Sequence, residues 1–409
     1  MKIAVFTDSF YPKIDGIAIS SLETIRKLAV KGHKIKVFCP NNLKNSDEIK
    51  IKNVELHRIF SFPVLSYKEV VVAVPKKKKI LKIVGGFKPD ILYLLSPGPI
   101  GIAATYVKKK LKIPLVGAYT TVIAEQLMYL SPIRLLKLDV VKEVLFKKHH
   151  FHKHRGETML KKIIWDISMY IYKKCDFITA PSFPIKEELI SRGMKRPIQV
   201  ISSGLETKHV KKRSHLKKIG CSILHVGRLS HEKKIELVIE AFSDFAKKYP
   251  QARLDIIGDG PSRKSLEILC SNLRLGNKVK FHGYIKHEKV LNMYKEYDLF
   301  VTASDMETLG LVVVEAMTAG LPVIGVDKYA LPSIIIHGEN GLICKPNDAG
   351  CIAESCEKIL VDESLYRKFS KNSIRFAKEH DMGGVVNKLE RVFLNLIRDS
   401  KEACSPCVE

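Results

Sequence analysis

In the segment VGRLSHEKK, Val226–Lys234, an apolar run ends at Val226 and Gly227 permits a tight turn. Arg228 and Lys233 then flank the opening of the next helical stretch. Two cations at the mouth of a helix N-terminus suit a diphosphate: they supply charge, and the helix supplies oriented N–H groups. Downstream, Glu307-Thr-Leu-Gly-Leu-Val-Val-Val-Glu315 sets one carboxylate in a loop and a second in a helix predicted to begin near Leu311. A carboxylate accepts hydrogen bonds from two neighbouring hydroxyls, which suits a ribose diol or a sugar diol. The amides of Leu309, Gly310 and Leu311 stand where a helix start leaves N–H groups open for a phosphate or a hydroxyl. Glu315 lies in a markedly apolar run, where an unpaired carboxylate is costly, and that cost favours a functional role. The plainer alternatives are a basic loop, a capping glutamate and an incidental helix glutamate.

Two further segments carry weaker signals. IIGDGPSRKSLE, Ile256–Glu267, reads as strand, Gly-Asp-Gly-Pro and helix, half of a dinucleotide fingerprint, with a backbone-accessible loop at the sheet edge. FHGYI, Phe281–Ile285, ends a strand with glycine, where backbone groups at Tyr284 and Ile285 can read a base edge.

The elements that must position these residues form two alternating series. In the first half, apolar strands are predicted over Lys2–Thr7, Lys34–Cys39, Asp90–Leu95, Pro114–Tyr119 and Phe177–Ala180, with helices over Ile19–Lys31 and Gly101–Lys110 and a last strand over Ile198–Ser202. In the second half, strands are predicted over Ser222–Val226, Arg253–Ile257, Lys278–Phe281, Leu299–Thr302 and Pro322–Val326. Near-continuous apolar strands between amphipathic helices mean parallel sheets covered on both faces. The fold class is therefore α/β, two tandem Rossmann-like doubly wound domains, with ligands expected beyond the strands' carboxyl ends in a cleft that the domains face. The divisions expected are residues 1–205, 206–384 and a C-terminal helix and tail over 385–409, the helix itself over Val385–Arg398.

Composition narrows the function classes. No stretch reaches the roughly 18 uninterrupted apolar residues of a spanning helix. The longest candidate, Leu309–Val326, contains Glu315, Gly320 and Pro322. The opening MKIAVFTDSFYP reads as strand and turn rather than as a leader, and the expected setting is the cytoplasm. Nine cysteines without paired spacing fit free thiols, with Cys404-Ser-Pro-Cys407 in the tail as the lone close pair. The net charge of +26 reads either as attraction to a polyanion or as a lysine-rich surface throughout. A nucleic-acid partner is not expected, because the basic residues lack interleaved aromatics or a recognised motif. The sequence leaves the oligomeric state open.

Taken in order, these segments resemble the retaining glycosyltransferases of the two-Rossmann GT-B fold usually called GT4. The family's G-R-x-x-x-x-K is similar to Gly227, Arg228 and Lys233, its E-x7-E to Glu307 and Glu315, and its A-x-x-x-G-x-P-V-I to Ala316–Ile324. DSFYPKIDG, Asp8–Gly16, resembles the acceptor-side glycine loop, and KPDILYLLSP resembles a second N-terminal strand motif. The resemblance implies that Arg228 and Lys233 neutralise a donor diphosphate and Glu315 holds the ribose. Glu307 with the Leu309–Leu311 amides would hold the transferred sugar, with Gly16 on the donor side. It also implies a nucleotide-diphosphate sugar, by default a UDP-sugar, and transfer with retained configuration. No D-x-D motif is present, so neither metal nor resident cofactor is expected. In one departure, the family's T-Y-H-T reads Ala118-Tyr119-Thr120-Thr121, followed by a matching Glu125, and Thr120 can act neither as a cation nor as a base. In another, the acceptor-side double glycine is Asp15-Gly16.

The start of the chain looks most like members that glycosylate diacylglycerol or phosphatidylinositol. The basic, helically periodic stretch Ser131–Lys174 and Lys76–Lys79 beside Ile80, Leu81 and Val84 suit an anionic membrane surface, or are solvated helices. The run His149–Arg155 reads as a surface loop. A soluble glycan acceptor and an inactive sugar-nucleotide binder are the competing expectations.

Overall fold

The computed structural model describes residues 1–13, 16–41, 49–64, 67–120, 159–213 and 219–402. Asp15, Glu125, most of Ser131–Lys174, the histidine run and the Cys404–Cys407 pair lie outside them. The chain divides into two compact units, one of Met1–Ala180, Glu188–Gln199 and Glu390–Glu409, the other of Pro181–Glu187 and Val200–Leu389.

The first unit is built on a seven-stranded sheet of order β3-β2-β1-β6-β7-β8-β9. Its strands are β1 (Lys2–Phe6), β2 (Lys34–Pro40), β3 (Val54–Ile59), β6 (Ile91–Leu94), β7 (Leu115–Ala118), β8 (Phe177–Ala180) and β9 (Ile198–Val200). β4 (Ser61–Val64) and β5 (Tyr67–Ala73) form a separate antiparallel hairpin. The helices are α1 (Gly16–Val30), α2 (Lys77–Phe87), α3 (Pro99–Leu111) and α4 (Met159–Tyr172), with α5 (Phe183–Ser191) divided between the two units. Ile3, Ala4, Val5 and Phe6 are fully buried, as a strand covered on both faces requires. Asp8, just past β1, accepts from Ile100 N at 2.9 Å and from Ser96 Oγ at 3.0 Å, so a carboxylate caps the start of α3. Burial raises the pKa of Asp8 despite these bonds.

The second unit holds a six-stranded sheet of order β12-β11-β10-β13-β14-β15. Renumbered from its own first strand, that order is 3-2-1-4-5-6, the Rossmann order, and every pair is parallel. The strands are β10 (Ser222–Val226), β11 (Arg253–Ile257), β12 (Val279–Gly283), β13 (Leu299–Val301), β14 (Val323–Val326) and β15 (Gly341–Cys344). The helices are α6 (Ile235–Lys248), α7 (Arg263–Asn272), α8 (His287–Met293), α9 (Leu311–Ala319), α10 (Leu331–Ile334), α11 (Ala349–Val361) and α12 (Glu363–Ala377). α6 shows why the chain folds so: Ile235, Val238, Ile239, Phe242 and Phe245 recur at helical spacing and are all buried. The strand order reverses between β10 and β13, which makes their carboxyl ends the switch point where such sheets take ligands.

α13 (Met382–Glu402) starts in the second unit and ends in the first, where Phe393 packs edge-on to Tyr93 and Glu390 pairs with Lys31 and His33. No helix among the described residues is long and apolar enough to cross a membrane.

Candidate functional site

The loop after β10 is held by backbone bonds to the loop after β11. Gly227 N donates to Ile257 O at 3.0 Å, Leu229 N to Asp259 O at 3.0 Å, and Ser262 N to Leu229 O at 2.9 Å. A Cβ at Gly258 would lie 1.8 Å from Gly227 O, and one at Gly260 would lie 2.3 Å from Leu229 O. These two glycines therefore let the Arg228 loop approach. The Gly-Asp-Gly-Pro loop stays open on its other side, with Asp259 and Pro261 exposed. Arg228 itself is exposed.

Lys233 closes a 3₁₀ turn, His231–Lys233, and α6 begins only at Ile235, after Lys234 with φ +50°. The helix mouth expected at Lys233 is thus displaced by one tight turn. Lys233 Nζ donates instead to Glu307 Oε1 at 2.5 Å, so the loops leaving β10 and β13 are joined by an ion pair at the switch point. Asp305 N, donating to Glu232 O at 2.9 Å, joins them again.

The Glu307 loop is fixed along its length. Ala330 N donates to Glu307 O at 3.0 Å, and Ser182 Oγ donates to Thr308 O at 2.9 Å. Gly310 has φ +81°, a left-handed conformation that glycine takes without a Cβ clash, and it launches α9 at Leu311 as expected. Val313 N and Val314 N both bond Gly310 O. The N–H groups of Leu309, Gly310, Leu311 and Val312 make no hydrogen bond among the described residues. A helix start with open amides beside a lysine is a site for a phosphate or hydroxyl oxygen.

Glu315 is buried, 4 % exposed, on α9. Its carboxylate is not unpaired: Oε1 accepts from His287 Nε2 at 2.8 Å and Oε2 from the Tyr294 hydroxyl at 2.7 Å. The desolvation argument is therefore met by protein donors, and the burial of Glu315 alone does not demand a ligand. Tyr294 is wholly buried, and that burial, together with the Glu315 carboxylate, pushes its pKa well above the usual phenol value, so it stays a donor. Tyr284 is exposed and Ile285 half-buried just past β12, one and two residues after Gly283, whose O accepts from Gly258 N at 2.9 Å.

In the first unit, Gly16 is the exposed first residue of α1. Thr120 follows β7, and its Oγ1 donates to Leu95 O at 3.0 Å.

His225, two residues before Gly227, was not singled out from the sequence. It is buried, its Nδ1 donates to Val301 O at 2.9 Å, and its Nε2 has no hydrogen-bond partner among the described residues. Burial lowers its pKa to about 4, outweighing the Val301 bond. An unfolded histidine titrates near pH ~6.5, so between there and pH 4 the unfolded chain takes up a proton that the folded chain refuses. Stability should fall as pH drops through that window, by up to about 1.4 kcal/mol per unit. Urea unfolding of wild type and His225→Phe at pH 7 and pH 5 checks this; an equal loss in both proteins would disprove it.

Residues 14–209 match the family described as Glycosyltransferase Family 4, and residues 208–376 match Glycosyl transferases group 1. The alpha-monoglucosyldiacylglycerol synthase of Streptococcus pneumoniae is 24% identical over 95% of this chain and 87% of its own length. Sucrose-phosphate synthase from Thermosynechococcus elongatus superposes with a TM-score of 0.74 at 19% identity, covering 97% of this chain and 99% of its own. Anabaena HepE, solved in complex with UDP, gives 0.72 at 17%, covering 97% and 100%. These two solved structures establish the GT-B likeness of the fold. The two family matches adjoin and together run from residue 14 to residue 376, and the chain belongs to the GT4 glycosyltransferases.

Proposed function

We propose that this glycosyltransferase moves a hexose from a UDP-sugar to a hydroxyl of a membrane glycerolipid, with retained configuration and without a metal. The observation that carries the donor half is the convergence at one switch point of Lys233, Glu307 and the open amides of Leu309–Val312. Arg228 and Lys233 neutralise the diphosphate as the sugar departs, the role a divalent ion would otherwise fill. Glu307 and the amides hold the transferred sugar, Glu315 the ribose, and the Tyr284–Ile285 backbone the base. The leaving phosphate oxygen takes the acceptor hydroxyl's proton, so bond breaking and bond making share one face of the sugar.

The acceptor half is supported by the name of the pneumococcal relative and by the surface of the first unit. Phe60, Phe62 and Val74 are exposed about the β4–β5 hairpin, and Lys76–Lys79 follow directly, all exposed. Apolar side chains flanked by lysines suit an anionic interface. α2 turns Ile80 and Val84 into the core, so the apolar contact falls to the hairpin rather than to the helix face expected from sequence. The enzyme would work as a peripheral protein on the cytoplasmic side of a membrane.

Purified protein incubated with UDP- and GDP-hexoses and diacylglycerol in anionic vesicles should yield a lipid heavier by one hexose, read by mass spectrometry. Transfer to soluble sugars that is unchanged when lipid is omitted would reject the acceptor. Absence of both transfer and donor hydrolysis would reject the enzyme reading.

A further inference from the structure

An ionised carboxylate offers about four lone-pair positions. At Glu315 the protein fills two of them, one on each oxygen, through His287 and Tyr294. Two remain, the number that a vicinal diol fills. The two protein donors differ in kind. Tyr294 is wholly buried and holds Oε2 from the core side. His287 is about one-third exposed, and it opens α8 directly after the Tyr284–Ile285 segment. It is therefore the one described side chain that both bonds the Glu315 carboxylate and adjoins that segment in the chain.

We propose that His287 is a positioning residue: by holding Glu315 Oε1 it aims the carboxylate's open lone pairs at the ribose diol of a nucleoside diphosphate, and it ties that alignment to the segment that meets the base. This rests on the reading of Glu315 as the ribose ligand. Without His287, Oε1 is free to turn or to take water, while Tyr294 still anchors Oε2. The carboxylate stays in place but loses its alignment. The loss should appear as reduced discrimination between ribose and deoxyribose rather than as unfolding.

The experiment is titration calorimetry with UDP and 2′-deoxy-UDP, and with GDP and 2′-deoxy-GDP, on the full chain. For the base it prefers, wild type should bind the ribonucleotide about tenfold or more tightly than its deoxy form, the size of one hydrogen bond to a charged group. His287→Ala should cut that preference to about threefold or less, chiefly by weakening the ribonucleotide. His287→Gln, whose amide can donate to the same oxygen, should restore most of it. A His287→Ala ratio equal to wild type, or an equal loss for both nucleotides, overturns the proposal. Glu315→Gln separates this from the reading beneath it. If Glu315→Gln abolishes the preference and His287→Ala does not, the ribose assignment stands and the role of His287 falls. If wild type shows no preference or binds neither pair, or if Glu315→Gln leaves the preference intact, the ribose assignment itself falls.

Discussion

Lys233→Ala is expected to lower kcat/KM by about two to three orders of magnitude, the effect of removing one pre-organised group that meets developing charge. The geometry argues that the loss will exceed that of a lone cation. Lys233 Nζ holds Glu307 Oε1, and the Glu307 side chain is only 13 % exposed. Removing the lysine leaves a largely buried carboxylate without that partner beside the incoming diphosphate, where like charges repel. The double variant Lys233→Ala/Glu307→Gln should therefore bind UDP better than Lys233→Ala does, although its turnover stays low because the sugar's carboxylate contact is gone. Residues in one ion pair do not act additively, and a cycle of the two singles and the double measures the coupling. Steady-state kinetics with the active donor, together with calorimetry of UDP, gives both readouts. Turnover of Lys233→Ala within twofold of wild type would remove Lys233 from the diphosphate site. An equal UDP affinity for the single and double variants would remove the repulsion.

The residues in that pair were legible from type and spacing, but the pair itself was not. Gly227, Arg228 and Lys233 stand in one loop, and Glu307 and Glu315 bracket one helix start, so local pattern reaches each set. The bond between Lys233 and Glu307 spans 74 residues and arises because β10 and β13 are neighbours in the sheet. The same holds for His287 and Tyr294 at Glu315. A carboxylate in an apolar run announces that it needs donors, yet nothing in the spacing says that α8 and the turn after it supply them. Gly258 and Gly260 show the converse: their spacing reads as half of a dinucleotide fingerprint, and nothing in it says that the backbone they admit is that of Gly227 and Leu229.

The strands divide on similar grounds. β10 and β11 keep the bounds expected for them, Ser222–Val226 and Arg253–Ile257, because mostly apolar stretches mark strands covered on both faces. β3 escaped notice because VELHRI interleaves charged residues on a strand at the rim of its sheet, paired only with β2, and no residue in it is fully buried. β15, GLIC, is too short for its period to register. α2 was visible as a basic run with apolar neighbours, but whether those neighbours faced lipid or core depended on packing.

Arg213→Ala is expected to destabilise the second unit by about 3–5 kcal/mol, the cost of leaving a buried charge without its partner. Arg213 and Asp298 are 5% and 3% exposed, and Arg213 donates to Asp298 Oδ1 at 2.5 Å and to Tyr297 O at 3.1 Å. Ser222 N and Oγ donate to Asp298 Oδ2, at 3.0 and 2.5 Å. The cluster thus ties the segment entering the domain to the starts of β10 and β13, the two strands whose far ends carry the site. Burial pushes the Asp298 pKa up, but the Ser222 and Gly220 bonds and the Arg213 charge outweigh it, and the net shift is downward. A carboxylate with a lowered folded pKa adds stability above its unfolded value, near ~3.9, and loses it as pH falls through the folded value. Wild type should keep this contribution at neutral pH and lose it in acid below about pH 4. Arg213→Ala should lose only the Arg213 share of it at pH 7, because the Ser222 and Gly220 bonds still favour the carboxylate. Arg213→Met/Asp298→Asn, which removes both charges while leaving an acceptor for Ser222, should be less destabilised than Arg213→Ala, because no uncompensated charge stays buried. Urea unfolding followed by circular dichroism decides the matter. A midpoint for Arg213→Ala matching wild type, or a double variant weaker than that single, would show that the pair does not hold the strand starts together.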